Sequence, residues 1–228
     1  MKTTLLIPTI NEIVGMREIM PRIKEGWVDE ILFVDGGSTD GTIEYAESHG
    51  YRIIQQKSPG LAGAYRDGVE AATGDVLILF SPDGNSVPER IPDLVTKMKE
   101  GCDMVIASRY CQGAKSYDDD GLTAFGNWMF TQFINILFGG SYTDALVIYR
   151  ACKKDLFKTC SVNRATIMGG IEPQLSIQCA KKKLKVMDIP GDEPARLGGT
   201  RKMKPFRNGM GISMLILMEL FGIRGSLS

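Results

Sequence analysis

The segment LILFSPDGNSVPER, residues 77–90, runs from four apolar residues into a polar turn and then begins again at Pro88-Glu89. Asp83 and Asn85 lie two positions apart in that turn. A short apolar run bounded by turn residues is typical of a buried strand, and proline is favoured in the first turn of a helix. The segment therefore predicts a strand, a turn and a helix, which is the repeating unit of an α/β protein.

The same unit recurs through the first half of the chain. Apolar runs predict strands at 3–8, 30–35, 51–56, 75–80 and 103–108. Helical patterns lie between them at 12–25, from 38 onward, at 61–73 and at 88–100. The less regular second half predicts helices at 123–138, 152–159, 170–182 and 210–222, and short strands near 145–149 and 184–188. This alternation predicts a mostly parallel central sheet flanked by helices.

The composition restricts the classes of function. The chain has 228 residues, of which 43% are hydrophobic, enough for one domain with a substantial core. Its 27 basic and 27 acidic residues balance, so the broad basic field needed for non-specific nucleic-acid binding is missing. The 5 cysteines form no CxxC pair, which favours a reducing, cytoplasmic compartment. The single histidine, His49, cannot build a multi-histidine zinc site or a serine-histidine triad, so a divalent metal must be bound by oxygen.

Polar residues follow four of the predicted strands. They are Pro8, Thr9, Asn11 and Glu12; Asp35 to Ser38; Ser81, Asp83 and Asn85; and Ser108 and Arg109. Because open parallel sheets bind ligands beyond the carboxyl ends of their strands, we expect these residues to share one crevice. The first turn lacks G-x-G-x-x-G and the chain has no G-x-x-x-x-G-K-S/T, which argues against a dinucleotide oxidoreductase and a P-loop NTPase.

Asp83 and Asn85 have two interpretations. Mg²⁺ and Mn²⁺ prefer oxygen ligands and often take one or two from the protein and the rest from phosphate and water. A carboxylate and a nearby carboxamide therefore suit a metal ion shared with a diphosphate. The alternative is an ordinary β-turn, since Asp, Gly and Asn are favoured turn residues. Asp35, at a buried strand end, also needs a partner, which a nucleobase N–H could supply.

Six segments, taken in order, resemble glycosyltransferase family 2, which has the GT-A fold. They are IPTINE (7–12), VDGGSTDGT (34–42), the segment 60–89, ASRY (107–110), TDALVIYRA (143–151) and RLGGTRK (196–202). Within the family they are most similar to the dolichol-phosphate mannose synthase and polyprenyl-phosphate glycosyltransferase group. The resemblance implies one α/β domain of the GT-A, Rossmann-like type over 1–228. Its nucleotide-binding part would cover about 1–110, and its acceptor part and C-terminal helices about 111–228.

The resemblance also implies a role for each matched residue. A nucleoside pocket would be lined by Pro8, Thr9, Glu12 and Asp35, with Asp35 pairing to the base. The family's Asp-x-Asp metal motif falls on Ser81, Pro82 and Asp83, so its first carboxylate is missing. Asn85 lies where related synthases place a glutamine ligand. Asp83 and Asn85 would thus hold Mg²⁺ or Mn²⁺, with greater reliance on the diphosphate.

Basic residues form the other half of the predicted site. They are Arg109, Arg150, Arg196, Arg201 and Lys202. Fixed cations and a metal ion would stabilise the negative charge that grows on a leaving diphosphate. Arg196 and Lys202 fit the R-x-x-G-x-S-K pattern of polyprenyl-phosphate enzymes, with Arg201 in place of its serine. A solvated basic loop explains Arg201 and Lys202 equally well.

The acceptor is left open at this point. A lipid phosphate is already ionised and needs no strong base, whereas a sugar hydroxyl must lose its proton to a carboxylate. Glu172 lies where family members carry an acidic residue near the acceptor, and Asp144 is a second candidate; a structural role is as consistent for both. The apolar helical patterns at 124–140 and 211–223 indicate core, the interface of a homo-oligomer, or a membrane surface for a polyprenyl substrate.

We therefore predict a hexosyltransferase that uses a GDP- or UDP-linked sugar, inverts the anomeric carbon, and depends on Asp83, Arg150 and Glu172 for catalysis. Cytoplasmic protein, peripheral at the inner membrane face, is the expected location. One alternative is a catalytically degenerate nucleotide-sugar binder, which Ser81 favours. The other is a sugar-phosphate nucleotidyltransferase, although such enzymes ordinarily have a glycine-rich basic loop directly after the first strand.

Overall fold

The computed structural model describes residues 1–159, 170–197 and 205–223. Strands and helices alternate along this part of the chain. Their order is β1 (Thr3–Thr9), α1 (Ile13–Ile19), β2 (Glu30–Asp35), α2 (Thr42–Ser48), β3 (Arg52–Gln55), α3 (Gly60–Ala71), β4 (Val76–Leu79), α4 (Ile91–Lys99), β5 (Met104–Ser108), α5 (Gly121–Phe138), β6 (Arg150–Lys153), α6 (Asp155–Thr159), α7 (Ile171–Lys181), β7 (Val186–Pro190) and α8 (Pro205–Leu220).

The strands form one seven-stranded sheet in the order β3-β2-β1-β4-β6-β5-β7. Strand β6 runs antiparallel to its neighbours β4 and β5, and the other pairs are parallel. The register places Thr9 beside Asp35 at the ends of β1 and β2. Because parallel strands end at one edge, the polar segments that follow β1, β2, β4 and β5 come together there. The expected mostly parallel sheet flanked by helices is confirmed.

Two elements of the second half differ from the prediction. The five strands predicted in the first half are all present, but residues 145–149 are not a strand; β6 begins at Arg150 instead. The carbonyl groups of Ala145 and Val147 accept hydrogen bonds from the Arg150 side chain, so this segment folds around a buried guanidinium rather than along a neighbouring strand. Helix α6 consequently begins at Asp155, three residues later than the predicted start at 152.

Two glycines allow the close packing that shapes the site edge. A side chain on Gly15 of α1 would collide with the carbonyl oxygen of Pro82, so α1 lies directly against the turn after β4. A side chain on Gly68 of α3 would collide with Leu6 of β1, so α3 lies close on the sheet. The first turns of α3 therefore lie at the edge where the strands end, and Tyr65 faces the core there.

Candidate active site

A cleft of about 1320 Å³ opens at this edge of the sheet. The predicted site residues that line it are Pro8, Thr9, Glu12, Asp83, Asn85, Arg109, Glu172 and Arg196. Residues 198–204 lie outside the described part of the chain, and the predictions for Arg201 and Lys202 fall on them. Asp35 and Arg150 are buried behind the cleft, with exposures of 2% and 0%. The structure thus brings most of the predicted residues to one place.

Asp83 lies in a tight turn that is held against a distant segment. Its Oδ2 is 2.8 Å from Nη2 of Arg196, and its backbone oxygen accepts a hydrogen bond from Leu197 N at 2.9 Å. Its Oδ1 accepts from Asn85 N at 3.1 Å, so the β-turn given as the alternative is present, and the metal site stays a prediction. Gly84 has φ +96°, and a side chain there would meet Leu197 at 2.6 Å. Only glycine therefore suits this position.

The donor set at this turn fits a divalent cation that is shared with a phosphate ligand. The Asn85 side chain donates from Nδ2 to Pro194 O at 3.1 Å. Its Oδ1 is buried and has no hydrogen-bond partner among the described residues. Asp83 lies beside it, and Ser81 also lines the cleft. The described residues hold no group of three or more acidic, cysteine or histidine side chains suited to a metal, so other ligands would have to come from the substrate.

Asp35 shapes the wall of the cleft. Its carboxylate accepts hydrogen bonds from Gly37 N at 2.8 Å, Ser38 N at 2.7 Å and the hydroxyl groups of Ser38 and Thr9. These contacts tie the end of β1 to the turn after β2. The next residue, Gly36, lines the cleft. The geometry shows Asp35 holding this turn; pairing with a base stays a prediction.

Asn11, one of the polar residues expected to share the crevice, joins the same two strand ends together with Asp40, which was not among them. Asn11 Oδ1 accepts from Thr39 N at 2.8 Å, and Asp40 Oδ2 accepts from Ile13 N at 3.1 Å. Asn11 has φ +55°, in the left-handed region that asparagine tolerates better than most residues. The turns after β1 and β2 therefore form one unit, which fixes the position of Thr9 and Glu12 in the cleft.

Arg109 is surrounded by carboxylates. Its Nε and Nη2 bind Asp144 at 2.6 and 3.1 Å, and its Nη1 lies 3.2 Å from Asp119 and 3.4 Å from Glu193. Burial lowers the pKa of Arg109, but the carboxylates, Asp144 above all, raise it overall. Burial also raises the pKa of Glu193, against the effect of Arg109. Much of the positive charge of Arg109 is thus balanced within the protein.

Arg150 does not face the cleft. Its guanidinium donates to Val147 O, Ala145 O, Glu172 O and Ser176 Oγ, and its side chain is fully buried. This placement corrects the expectation of direct contact with a reacting group. Buried arginines need such partners, since an unpaired buried charge is costly. Arg150 holds the 145–147 segment against α7, and therefore acts on the cleft only through Val147 and Glu172, which line it.

Glu172 lies in the first turn of α7 and forms part of the cleft wall. Burial raises its pKa, and the backbone N–H groups of Glu172 and Ile171, together with Arg150, partly oppose that rise. Gly170 precedes it with φ +109°, and a side chain there would lie 2.5 Å from Glu172 Oε2. Because Gly170 has no side chain, there is room for the Glu172 carboxylate beside the N-terminus of α7. Such a group is a candidate base, since a raised pKa suits proton transfer near neutral pH.

The cleft also has an apolar side that the sequence predicted only as helical faces. Its rim includes Leu122 and Phe125 of α5 and Phe206 and Met210 of α8. Their exposed fractions are 63%, 58%, 86% and 72%. Large exposed apolar patches commonly mark binding surfaces. The polar end of the cleft at the sheet edge therefore continues into an apolar surface formed by two helices.

The comparisons with known proteins agree with this geometry. The sequence profile described as "Glycosyl transferase family 2" matches residues 4–160. Glycosyltransferase AglJ of Haloferax volcanii is 28% identical over 95% of this chain and 70% of its own length. Undecaprenyl-phosphate mannosyltransferase of Micrococcus luteus is 26% identical over 89% of this chain and 88% of its own length.

Solved structures show the same fold. Glucosyl-3-phosphoglycerate synthase from Mycobacterium tuberculosis, in complex with Mn²⁺, uridine diphosphate and phosphoglyceric acid, matches 99% of this chain and 80% of its own chain, with a TM-score of 0.68 and 19% identity. The expected GT-A architecture is thus confirmed. The profile match covers more than half of the sequence, so this chain belongs to glycosyltransferase family 2.

Proposed function

We propose that this chain transfers a hexosyl group from a nucleotide diphosphate sugar, GDP- or UDP-linked, to an acceptor, with Mg²⁺ or Mn²⁺ bound at Asp83 and Asn85. The observation that carries the proposal is the turn in which Asp83 pairs with Arg196, at the strand ends of a family 2 fold. Beside it lies Asn85 Oδ1, which accepts no hydrogen bond from the part of the chain that the structure describes. A metal ion held there would supply positive charge to a leaving diphosphate. Arg196 would add a fixed cation, because its Nε is buried without a hydrogen-bond partner among the described residues.

The nucleoside would bind at the ends of β1 and β2. Pro8, Thr9, Glu12 and Gly36 line that side of the cleft, and the Asp35 network keeps their backbone in place. A pre-formed pocket of this kind binds without the cost of ordering loops. The sugar would then extend past Asp83 toward Glu172. This orientation places the diphosphate beside Arg196 and the transferred hexose near the acceptor side of the cleft.

The chemistry follows as a single displacement. An acceptor oxygen attacks the anomeric carbon, the bond between that carbon and the diphosphate oxygen breaks, and the nucleotide leaves with both electrons. One displacement of this kind inverts the configuration. If the acceptor is a hydroxyl, Glu172 is the base that takes its proton. If the acceptor is a phosphate, the attacking oxygen is already ionised and Glu172 only shapes the site.

We favour a polyprenyl phosphate as acceptor because the cleft continues into the apolar surface of α5 and α8. That surface could hold the chain of a lipid while the phosphate reaches the strand ends. The relative from Micrococcus luteus, which is named for an undecaprenyl-phosphate substrate, supports this choice. None of the helices in the described ranges is long and apolar enough to cross a membrane. We therefore propose peripheral attachment to a cytoplasmic membrane face through this surface.

The test is a thermal-shift screen of UDP-glucose, UDP-GlcNAc and GDP-mannose, each with and without Mn²⁺, followed by an assay for nucleotide release with undecaprenyl phosphate. Binding to the folded state raises the melting temperature, so donor preference and metal need are read together. We expect one nucleotide class to bind and to be released, and Asp83→Asn to lose the Mn²⁺-dependent part of both signals.

Two results would overturn the proposal or narrow it. Ser81 favours a catalytically degenerate protein that only binds nucleotide sugars. That interpretation would be supported if a donor bound the protein but no acceptor led to release of the nucleotide. Absence of binding by every donor, in a protein that still folds, would remove the proposed function altogether. Glu47→Gln, a change at an exposed site on α2, serves as the matched control for Asp83→Asn because it also neutralises one carboxylate.

A further inference from the structure

Tyr65 is a buried polar group that the chemistry above does not use. It lies on α3, its side chain is 0% exposed, and it forms part of the cleft floor. Its hydroxyl has no hydrogen-bond partner among the described residues. The sequence predicts a helix over 61–73, which accounts for a buried aromatic ring at this position but not for a buried hydroxyl group. A buried hydroxyl without a hydrogen-bond partner destabilises the folded state by about 1–3 kcal/mol. A bound ligand that accepts this hydrogen bond would remove that cost.

The charged neighbours of Tyr65 among the described residues are Glu172, Arg150 and Asp83. Burial raises the pKa of Tyr65 well above its ordinary value; Glu172 and Asp83 raise it further, and Arg150 partly opposes them. The hydroxyl is therefore neutral and able to donate. Both carboxylates already have other partners: Asp83 accepts from Arg196 and Asn85, and Glu172 accepts from the backbone at the start of α7.

The electrostatics of this position select the kind of ligand group that would bind. A phosphate oxygen placed next to Glu172 would be repelled by its carboxylate, because the nearby Arg150 guanidinium is already bonded to protein groups. A neutral sugar hydroxyl would not, and it can both accept from a phenol and donate to a carboxylate. We propose that the Tyr65 hydroxyl binds one hydroxyl group of the transferred hexose and so contributes to the choice of sugar. This inference rests on the proposed function and assigns the hexose to the floor between Asp83, Tyr65 and Glu172.

The experiment combines Tyr65→Phe with donors that lack single hydroxyl groups. Whichever of the three donors of the thermal-shift screen binds the wild-type protein is compared, by calorimetric titration, with analogues that each lack one hydroxyl group of the hexose. In the wild type we expect one analogue to bind about three- to tenfold more weakly because it loses the bond to Tyr65. The intact donor should bind Tyr65→Phe more weakly than it binds the wild type, by a similar factor. The same analogue should bind Tyr65→Phe as tightly as the intact donor does, because the hydrogen bond is already missing.

Tyr149→Phe is the matched control. Tyr149 is also buried, but its hydroxyl donates to Val87 O at 3.0 Å and it does not line the cleft. We expect Tyr149→Phe to lower the melting temperature and to leave the pattern of deoxy analogues unchanged. Tyr65→Phe should not lower the melting temperature, because no hydrogen bond of the folded protein is lost.

Three outcomes separate this inference from the proposed function. If the wild type binds none of the three donors of the thermal-shift screen, the proposed function fails first. If it binds a donor but the same deoxy penalties appear in wild type and Tyr65→Phe, only the role of Tyr65 is overturned. If every deoxy analogue binds the wild type as tightly as the intact donor, no single sugar hydroxyl contributes to binding. This result alone would overturn the role of Tyr65. Binding of UDP or GDP alone should be equal in wild type and Tyr65→Phe.

Discussion

Asp83 and Ser81 are the residues at which the proposed metal site can be tested most directly. Asp83 is the acidic residue of this turn that lines the cleft, and Ser81 lines it two positions earlier. A serine hydroxyl is a weaker ligand for a hard cation than a carboxylate, because it brings no charge. The sequence predicted that this turn follows a strand, and the structure adds that Asp83 lines the cleft and is paired with Arg196 across 113 residues of chain.

Replacing Ser81 with aspartate should strengthen cation binding. A second negative charge near a divalent ion adds at least about 1 kcal/mol even in a well-solvated site, so Ser81→Asp should lower the Kd for Mn²⁺ by about fivefold or more. Mn²⁺ titration in the presence of the bound donor measures this. Ser81→Asn, of the same size without the charge, is the control. An equal Kd for both variants would mean that the cation binds elsewhere.

Glu172 gives a prediction about pH. Burial is the main reason for its raised pKa, so its contribution to stability is present below its usual value of 4.5 and is lost as the pH rises through the folded value. Glu172→Gln removes the charge that must be buried. The free energy of unfolding of this variant should therefore increase relative to wild type as the pH rises from about 4 to about 7.5.

Urea unfolding at several pH values measures this difference. The exposed substitution Glu47→Gln should stay close to wild type across the whole range, because its carboxylate is solvated in both states. A constant difference between Glu172→Gln and wild type would show that Glu172 ionises in the fold as easily as in the unfolded chain.

At the scale of elements, α5 and α8 form a surface with an unusual amount of exposed apolar area. Besides the residues at the cleft rim, it includes Trp128 at 56%, Ile136 at 76% and Leu217 at 49% exposure. The opposite side of α8 packs inward through Ile212, Leu215 and Ile216. Helix α8 is thus apolar on two sides, only one of which packs against the protein.

Charges placed on this surface should weaken attachment to membranes. Phe125→Glu combined with Phe206→Glu removes two large exposed side chains, each able to contribute about 1.5–3 kcal/mol when fully buried. We expect at least a tenfold loss of binding to vesicles of anionic phospholipid in a sedimentation assay, with donor binding retained. Val14→Glu, at an apolar side chain on α1 that is 54% exposed, is the control for added charge. Equal vesicle binding by wild type and the double variant would contradict a membrane role.

At the scale of the whole molecule, Arg109 joins three regions that are distant in sequence. Its partners Asp119, Asp144 and Glu193 come from segments before α5, before β6 and after β7. The side chain of Asp144 is fully buried, and its burial depends on the ion pair with Arg109 together with hydrogen bonds from Leu146 N and Val147 N. This cluster fixes the segments before α5, before β6 and after β7 to the edge of the sheet.

Arg109→Met should therefore lower the free energy of unfolding by about 3–5 kcal/mol, because it leaves a buried carboxylate without its partner. Chemical denaturation at neutral pH measures the change. Arg90→Met breaks an exposed pair with Asp93 and should cost less than about 1 kcal/mol. If the two variants lost similar stability, Arg109 would have no larger structural role than a surface residue.

Much of this molecule was predictable because its patterns are local. The apolar runs, their turn residues and the helices after them depend on neighbours a few positions apart, and all five strands predicted in the first half are present. The strand predicted at 145–149 is wrong because the conformation of this segment depends on the Arg150 side chain. That side chain binds residues of α7 that lie 22 to 26 positions further along the chain.

The sequence by itself determined the family, the mostly parallel sheet and the strand ends at which the cleft forms, since parallel strands bring successive polar turns to one edge. Only the tertiary structure decided which polar side chains face that cleft. Asp83 meets Arg196 there, Arg150 turns into the core, and the Tyr65 hydroxyl lies on the floor without a hydrogen-bond partner in the described ranges. The direction of a side chain depends on residues that the fold brings beside it, and local sequence patterns do not contain those contacts.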